Sequence, residues 1–296
     1  MHPGHAASLA EFGTPRELPR SGGWLLERMI PGTEARDAMG TYPLFACRDW
    51  TGLRADLDNL EGELVSAALV TDPFGRYDRT LLNECFTTAI PFKEHFVADL
   101  SEPPEAFVSK HHRQHARKAL SEVEVQICVE PLALLEDWIS LYDVLIEKHS
   151  ITGIRAFSRT VFARQLALPG MVALRAERRG ATVAANLFLV QEQTAYDHLA
   201  ASSPEGYECL ASYALKWHAL HYFRGRVRWI DWGGGAGATA DHSDGLAWFK
   251  HGWSQTTRPA YFCGRILDET KYRQITRAKN LEHSRWFPAY RDGEFI

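Results

Sequence analysis

The stretch Asp231-Trp232-Gly233-Gly234-Gly235-Ala236-Gly237 constrains this chain more than any other. Just before it, Arg226-Val227-Arg228-Trp229-Ile230 is β-branched and aromatic and reads as a strand. Glycines at a strand end let the backbone turn sharply, or approach a ligand where a Cβ would clash. Just after it, Asp244 fits the N-cap of a short helix, which sets Lys250 beside Phe249 and between Trp248 and Trp253. An ammonium framed by aromatic side chains at such a strand end is well placed to stabilise developing negative charge. A glycine loop leading to an ordinary helix, its lysine reaching solvent, accounts for the same residues equally well.

The chain has 296 residues, enough for one large domain or two ordinary ones. With 45% hydrophobic and 24% charged residues it has the composition of a globular protein with a sizeable core. A formal net charge of −4 gives no global attraction to nucleic acid or to an anionic membrane, so a polyanion would need a local patch. Cys47, Cys85, Cys128, Cys209 and Cys263 are dispersed without CxxC spacing. That pattern argues against a disulfide framework or a zinc site, and for a reducing compartment. No secretory leader and no membrane-spanning apolar run is visible, so the expectation is a soluble, cytoplasmic protein without membrane insertion.

Residues 1–22 read as a flexible lead-in. From Trp24 onward the pattern predicts strands at 24–29, 64–71, 92–99 and 123–129, with helices after Asp49, from about Asp78 to Phe86, and from Pro103 to about Leu120. This order is that of an α/β unit, and Pro131 marks its expected end. The second half predicts an amphipathic helix at 132–149 and a helix capped by Ser158. A hairpin follows around Arg178-Arg179-Gly180, then a strand at 195–200 and a buried helix from Tyr207 to Phe223. A strand at 261–267 and a polar terminal helix close the chain. The expected organisation is a lead-in (1–22), two α/β units (23–130 and 131–267) and a terminal helix and tail (268–296).

One helix is unusual. Lys110-His111-His112-Arg113-Gln114-His115-Ala116-Arg117-Lys118 carries four fixed positive charges, and Arg113 and Arg117 share a face. Lys110, Arg113, Arg117 and Lys118 would suit a phosphate backbone, although a charge run by itself is most simply a solvated helix face. No acidic partner lies at ligand spacing from the histidines, so no metal is expected. On the strand at 195–200, Tyr196 and His198 would point to the same face.

With these pieces in order, the chain resembles the GNAT acyltransferase fold in its Fem-type branch, over about residues 64 to 267. The resemblance rests on four segments. They are the basic helix ending Arg117-Lys118-Ala119-Leu120, the strand Tyr196 to Ser202 with the helix Ala211 to Trp217, the stretch Asp231-Trp232-Gly233-Gly234, and Gly245-Leu246 with Phe249-Lys250 and Gly252. It implies an α/β (α+β) architecture of mixed sheets flanked by helices, in two GNAT-like domains side by side. It also implies amide-bond formation from aminoacyl-tRNA, with Lys250 stabilising the reacting carbonyl and Phe249 packing beside it. Acetyl-CoA-dependent members of the superfamily cradle a pyrophosphate on a glycine-rich loop that opens a helix. Here the equivalent connection is Ala201-Ser202-Ser203-Pro204-Glu205-Gly206-Tyr207, with one glycine, a proline that lacks a donor and an acidic residue, so CoA is the weaker donor.

The expected chemistry is direct attack of a primary amine of a peptide or small molecule on an activated ester. No serine or cysteine has a nucleophile's context, and no tightly bound cofactor is expected. Lys250 would hold the oxyanion, while Tyr196, His198 and Asp231 are candidates for orienting the amine or moving its proton. Phe249, Trp232, Gly233, Gly234, Trp248 and Trp253 would line the substrate site. A structural account of Tyr196, His198 and Asp231 stands beside the catalytic one: a satisfied buried ring, or a cap on the glycine turn. An acyl-CoA-dependent N-acetyltransferase and a catalytically silent binding module on the same fold are the alternatives.

Overall fold

The computed structural model describes residues 2–235 and 245–294, so Ala236, Gly237 and the expected cap Asp244 lie outside the described residues. The chain opens with α1 (Pro3–Ser8), β1 (Thr14–Leu18), β2 (Gly23–Met29), β3 (Arg36–Gly40), α2 (Leu53–Asp58), β4 (Ser66–Val70), α3 (Arg79–Cys85) and β5 (Thr88–Asp99). It continues through α4 (Pro104–Phe107), α5 (Lys110–Leu120), β6 (Glu124–Cys128), α6 (Leu135–His149) and α7 (Arg159–Leu166). Then come β7 (Met171–Arg178), β8 (Ala181–Gln191), β9 (Thr194–Ser202), α8 (Pro204–Glu208) and α9 (Ala211–Phe223). β10 (Trp229–Asp231), α10 (Gly245–His251), β11 (Thr256–Ile266) and α11 (Glu269–Ala278) complete it.

Two compact units emerge. The first comprises Met1–Phe92, Thr152–Arg155 and Pro259–Ile296, the second Lys93–Ile151 and Ala156–Arg258. In the first, the strands run β1-β2-β3-β4-β11, with β3 and β4 parallel and the other pairs antiparallel. Its core gathers Leu18, Leu25, Phe45, Trp50, Leu53, Leu57, Leu69 and Leu82. Residues 1–22 are therefore not a loose lead-in: β1 pairs with β2 from Thr14↔Glu27 to Leu18↔Gly23, and Ala6, Leu9 and Leu18 are buried. Their apolar residues are too sparse to show a period, although Ala6, Leu9 and Leu18 are enclosed. The tail is anchored too, because Arg291 is buried and donates to both carboxylate oxygens of Asp37, at 2.6 and 2.8 Å.

In the second unit the strands run β5-β10-β9-β8-β7-β6, antiparallel except for β9 and β10. Pro131 falls inside this unit rather than at its edge, because β6, just before it, pairs with β7, well after it. The hairpin β7–β8 turns at Arg179 and Gly180, both at positive φ (52° and 81°), the geometry of the tight two-residue turn. Two helices that the apolar pattern runs together are divided. Ser109 caps α5 afresh after α4, and Leu210, at φ 58°, separates α8 from α9. Ala116, Ala119, Phe188, Leu215, Ala219, Phe223, Trp232 and Trp253 share the main core of this unit. A second aromatic group, Trp138, Tyr142 and Phe162, joins α6 to α7.

Candidate active site

The site begins where two parallel strands part. β10 pairs with β9 only over Trp229↔Thr194, Ile230↔Ala195 and Asp231↔Tyr196, while β9 runs on to Ser202, paired along its β8 side. At the fork β9 carries a bulge: Phe188 of β8 faces Asp197 and Leu187 faces Leu199, which leaves His198 as the extra residue. The simple alternation that would align Tyr196 with His198 is interrupted there. His198 bonds through Nε2 to Oε1 of Gln165 on α7 at 3.1 Å, and Tyr196 is half-buried on the rung of Asp231.

Lys250, on α10, reaches the glycine turn at the other arm of the fork. Its ammonium donates to the carbonyl of Gly234 at 2.7 Å. Gly233 has φ +77°, and a Cβ there would stand 3.0 Å from Lys250 Nζ. A Cβ on Gly234 would instead stand 2.9 Å from Cδ of Lys93, whose own ammonium donates to the Gly235 carbonyl at 3.0 Å. Two ammonium groups thus converge on a turn that only glycine can form without displacing them. Burial is the main cause that lowers the Lys250 pKa from 10.5 to about 8. The carboxylates of Asp197 and Asp231 oppose that shift, and the ammoniums of Lys216 and Lys93 add to it.

Asp231 is buried and fully engaged. Its oxygens meet Nδ1 of the buried His95 on β5 at 3.0 and 2.9 Å, and Oδ1 accepts the N–H of Gly233 at 2.8 Å. It therefore both caps the glycine turn and orients an imidazole. The bulged strand supplies a second buried charge: Asp197 pairs with Lys216 of α9 and accepts Nδ2 of Asn186 at 2.6 Å. Lys216 lies under the Trp232 ring, 4.9 Å from its centroid, and burial lowers its pKa while Asp197 raises it.

The aromatic residues divide. Trp232 and Trp253 are fully buried and joined, Trp232 Nε1 donating to the Trp253 carbonyl at 3.0 Å, so they shape the core rather than offer a face to substrate. Trp248 is 56% exposed, and Phe249 packs half-buried on Tyr213, ring centroids 5.0 Å apart. The basic helix α5 is tied to this corner through His112. The buried ring accepts the Ser109 hydroxyl at Nδ1 (2.8 Å) and donates from Nε2 to the Phe249 carbonyl (3.0 Å), while burial lowers its pKa to about 4. Lys110, Arg117 and Lys118 are exposed, whereas Arg113 is half-buried and donates to the Glu105 carbonyl at 3.0 Å.

Sequence reasoning reached Lys250, the glycines, Tyr196 and Asp231 but missed His95, Lys93, Asp197, Lys216 and Asn186. Lys93 and His95 alternate along one strand with Val97, a spacing that puts all three on one face, and this was the available signal. Lys216, charged within an otherwise apolar helix, was another.

The sequence matches no family model and no curated protein. Solved structures do match. A crystal structure of FemX has a TM-score of 0.65 at 12% identity, over 86% of this chain and 87% of that one. The C-terminal domain of a protein assigned as a lysylphosphatidylglycerol synthetase from Agrobacterium fabrum has a TM-score of 0.61 at 14% identity, over 94% and 91%. L-PGS from Bacillus licheniformis has a TM-score of 0.56 at 13% identity, over 94% and 96%. The chain therefore has the Fem-type, GNAT-like α/β fold that the sequence resemblance implies. Among the described residues no helix is long and apolar enough to cross a membrane.

Proposed function

We propose that this chain is an N-acyltransferase that moves an aminoacyl group from aminoacyl-tRNA to a primary amine of a peptide or small molecule. One observation carries the proposal: an ammonium, lowered to about pKa 8, stands at the parting of two parallel strands with glycine backbone as its floor. As the amine adds to the ester carbonyl, charge grows on oxygen. A preorganised donor at that oxygen is worth about 3–4 kcal/mol in the transition state. Lys250 supplies it, and Trp248, Phe249, Gly233 and Gly234 border the space in which substrate lies. The likeness to FemX and to a lysylphosphatidylglycerol synthetase, whose name is that of an aminoacyl product, supports an aminoacyl donor.

The start of α8 also favours that donor over acyl-CoA. Pro204 has no N–H, the Gly206 N–H is taken by Ser203 Oγ at 3.1 Å, and the Tyr207 N–H by the Ser203 carbonyl at 3.0 Å. Gly206 itself is a packing glycine, since a Cβ there would stand 2.1 Å from the Val183 carbonyl oxygen. Few donors are left for a pyrophosphate. Lys110, Arg113, Arg117 and Lys118 then hold the phosphate backbone of the charged tRNA, and the reaction is a cytoplasmic one. The test is mass spectrometry of products after incubation with total charged tRNA and, separately, acyl-CoA, over a panel of amines. Amide product with charged tRNA is expected. Product with acyl-CoA alone overturns the choice of donor.

A further inference from the structure

We infer that His95 is the general base of the reaction, held in one tautomer by Asp231, an inference that rests on the transferase reading above. The imidazole is buried at the middle of β5, and its Nδ1 faces both oxygens of Asp231 at 3.0 and 2.9 Å. A carboxylate in that position accepts a proton-bearing nitrogen, so the neutral ring carries its hydrogen on Nδ1 and its lone pair on Nε2. Among the described residues Nε2 bonds to no protein group, whereas both nitrogens of the buried His112 do. His112 is thus a structural histidine and His95 is one with a nitrogen to spare.

The position fits the role. Asp231 also accepts the N–H of Gly233, and the Cβ direction of Gly233 leads to Lys250 Nζ at 3.0 Å. The dyad and the ammonium are therefore fixed to one short stretch of backbone, Asp231 to Gly234. Asp231 and Lys250 also interact electrostatically. The amine attacks as its free base, so one that arrives as its ammonium first releases a proton to solvent. His95 Nε2 takes a proton from the nitrogen as the N–C bond to the carbonyl forms. The C–O ester bond then breaks, and the leaving oxygen receives that proton from the imidazolium, so no other reactant is needed. Base catalysis of this kind contributes about 10²–10⁴ in rate.

Two arms on the full chain test this. Long-range 1H–15N correlation spectra of histidine-labelled protein, with His95→Gln to assign the signal, should show that the neutral His95 ring carries its hydrogen on Nδ1. In the amide-forming assay His95→Gln should lower kcat at least about 100-fold while KM for donor and amine stays within about twofold. Should His95→Gln fail to fold, Asp231→Asn replaces it. Its amide can still accept from Gly233 but donates to His95 Nδ1, moving the ring hydrogen to Nε2 and lowering kcat with the fold intact. A neutral wild-type ring with its hydrogen on Nε2, or a folded His95→Gln or Asp231→Asn with wild-type kcat, overturns the inference. A wild-type chain that forms no amide from any donor sinks the transferase reading itself, and the base with it. Turnover undiminished in the variants sinks the base alone.

Discussion

A methyl group on Gly233 would stand 3.0 Å from the Lys250 ammonium. The contact is with the far end of a flexible side chain, so in Gly233→Ala the lysine yields and the ammonium leaves its place. The backbone also resists, because φ +77° is a conformation that alanine adopts only with strain, at about 1–2 kcal/mol. We expect a modest fall in melting temperature and a fall of about 10–100-fold in kcat. Loss of stability with undiminished kcat would separate Gly233 from the chemistry.

The lowered Lys250 pKa fixes the sign of one pH dependence. The ammonium, not the amine, stabilises the oxyanion, so activity needs the protonated form. As pH rises through about 8 the free enzyme loses that proton, and kcat/KM should fall on the alkaline side with a midpoint near 8. In Lys250→Arg, where the guanidinium stays charged, that alkaline limb should vanish from whatever activity remains. A pH–rate profile of both proteins checks this, and an unchanged alkaline limb in the arginine variant assigns it to another group.

The buried Asp197–Lys216 pair lends itself to a double-mutant cycle. Removing one member strands the other charge in the core, so Asp197→Leu or Lys216→Met alone should cost about 3–5 kcal/mol in urea unfolding. The double variant, with no charge left to bury, should recover most of that loss. Asp197 also raises the Lys250 pKa, so its removal should move the alkaline limb to lower pH.

Gly252 is required for a different reason. A Cβ there would lie 2.1 Å from Cε1 of His112, a ring pinned on one side by Ser109 and on the other by the Phe249 carbonyl. Because the ring has no room to retreat, Gly252→Ala should destabilise by at least about 2 kcal/mol. Shortening the ring in Gly252→Ala/His112→Ala should recover part of it. Denaturant titration of the wild type, Gly252→Ala, His112→Ala and the double variant decides, and an additive pair would show that the two residues do not press on each other.

Much of this was legible in the sequence because it depends on local chemistry. Asp78, Ser158 and Asp49 cap the turns that follow them, and the turn at Arg179-Gly180 needs the positive φ that glycine allows. The Fem-type fold followed from short motifs in order. Partners distant in the chain were not legible. His95 and Asp231 are 136 residues apart, and only the pairing of β5 with β10 joins them. The bulge that separates His198 from its expected face is a matter of register between β8 and β9, which composition does not fix. β1 and β3 were missed because Thr14–Leu18 and Arg36–Gly40 carry charged residues where strand periodicity calls for apolar ones. Asp37 is buried all the same, its charge matched by Arg291 from the far end of the sequence.

The most direct test is kcat/KM for amide formation by Lys250→Met, with its thermal melt recorded beside it. The folded-state pKa of Lys250 lies below its unfolded value of 10.5, so the charged side chain costs the fold stability below about pH 8, and that cost fades as pH rises toward 10.5. Methionine removes the cost, and the melt at pH 7 should hold or rise. The rate at the same pH should fall at least tenfold, the loss of about 1.4 kcal/mol or more of transition-state stabilisation. A stable Lys250→Met protein that makes amide at the wild-type rate contradicts the account.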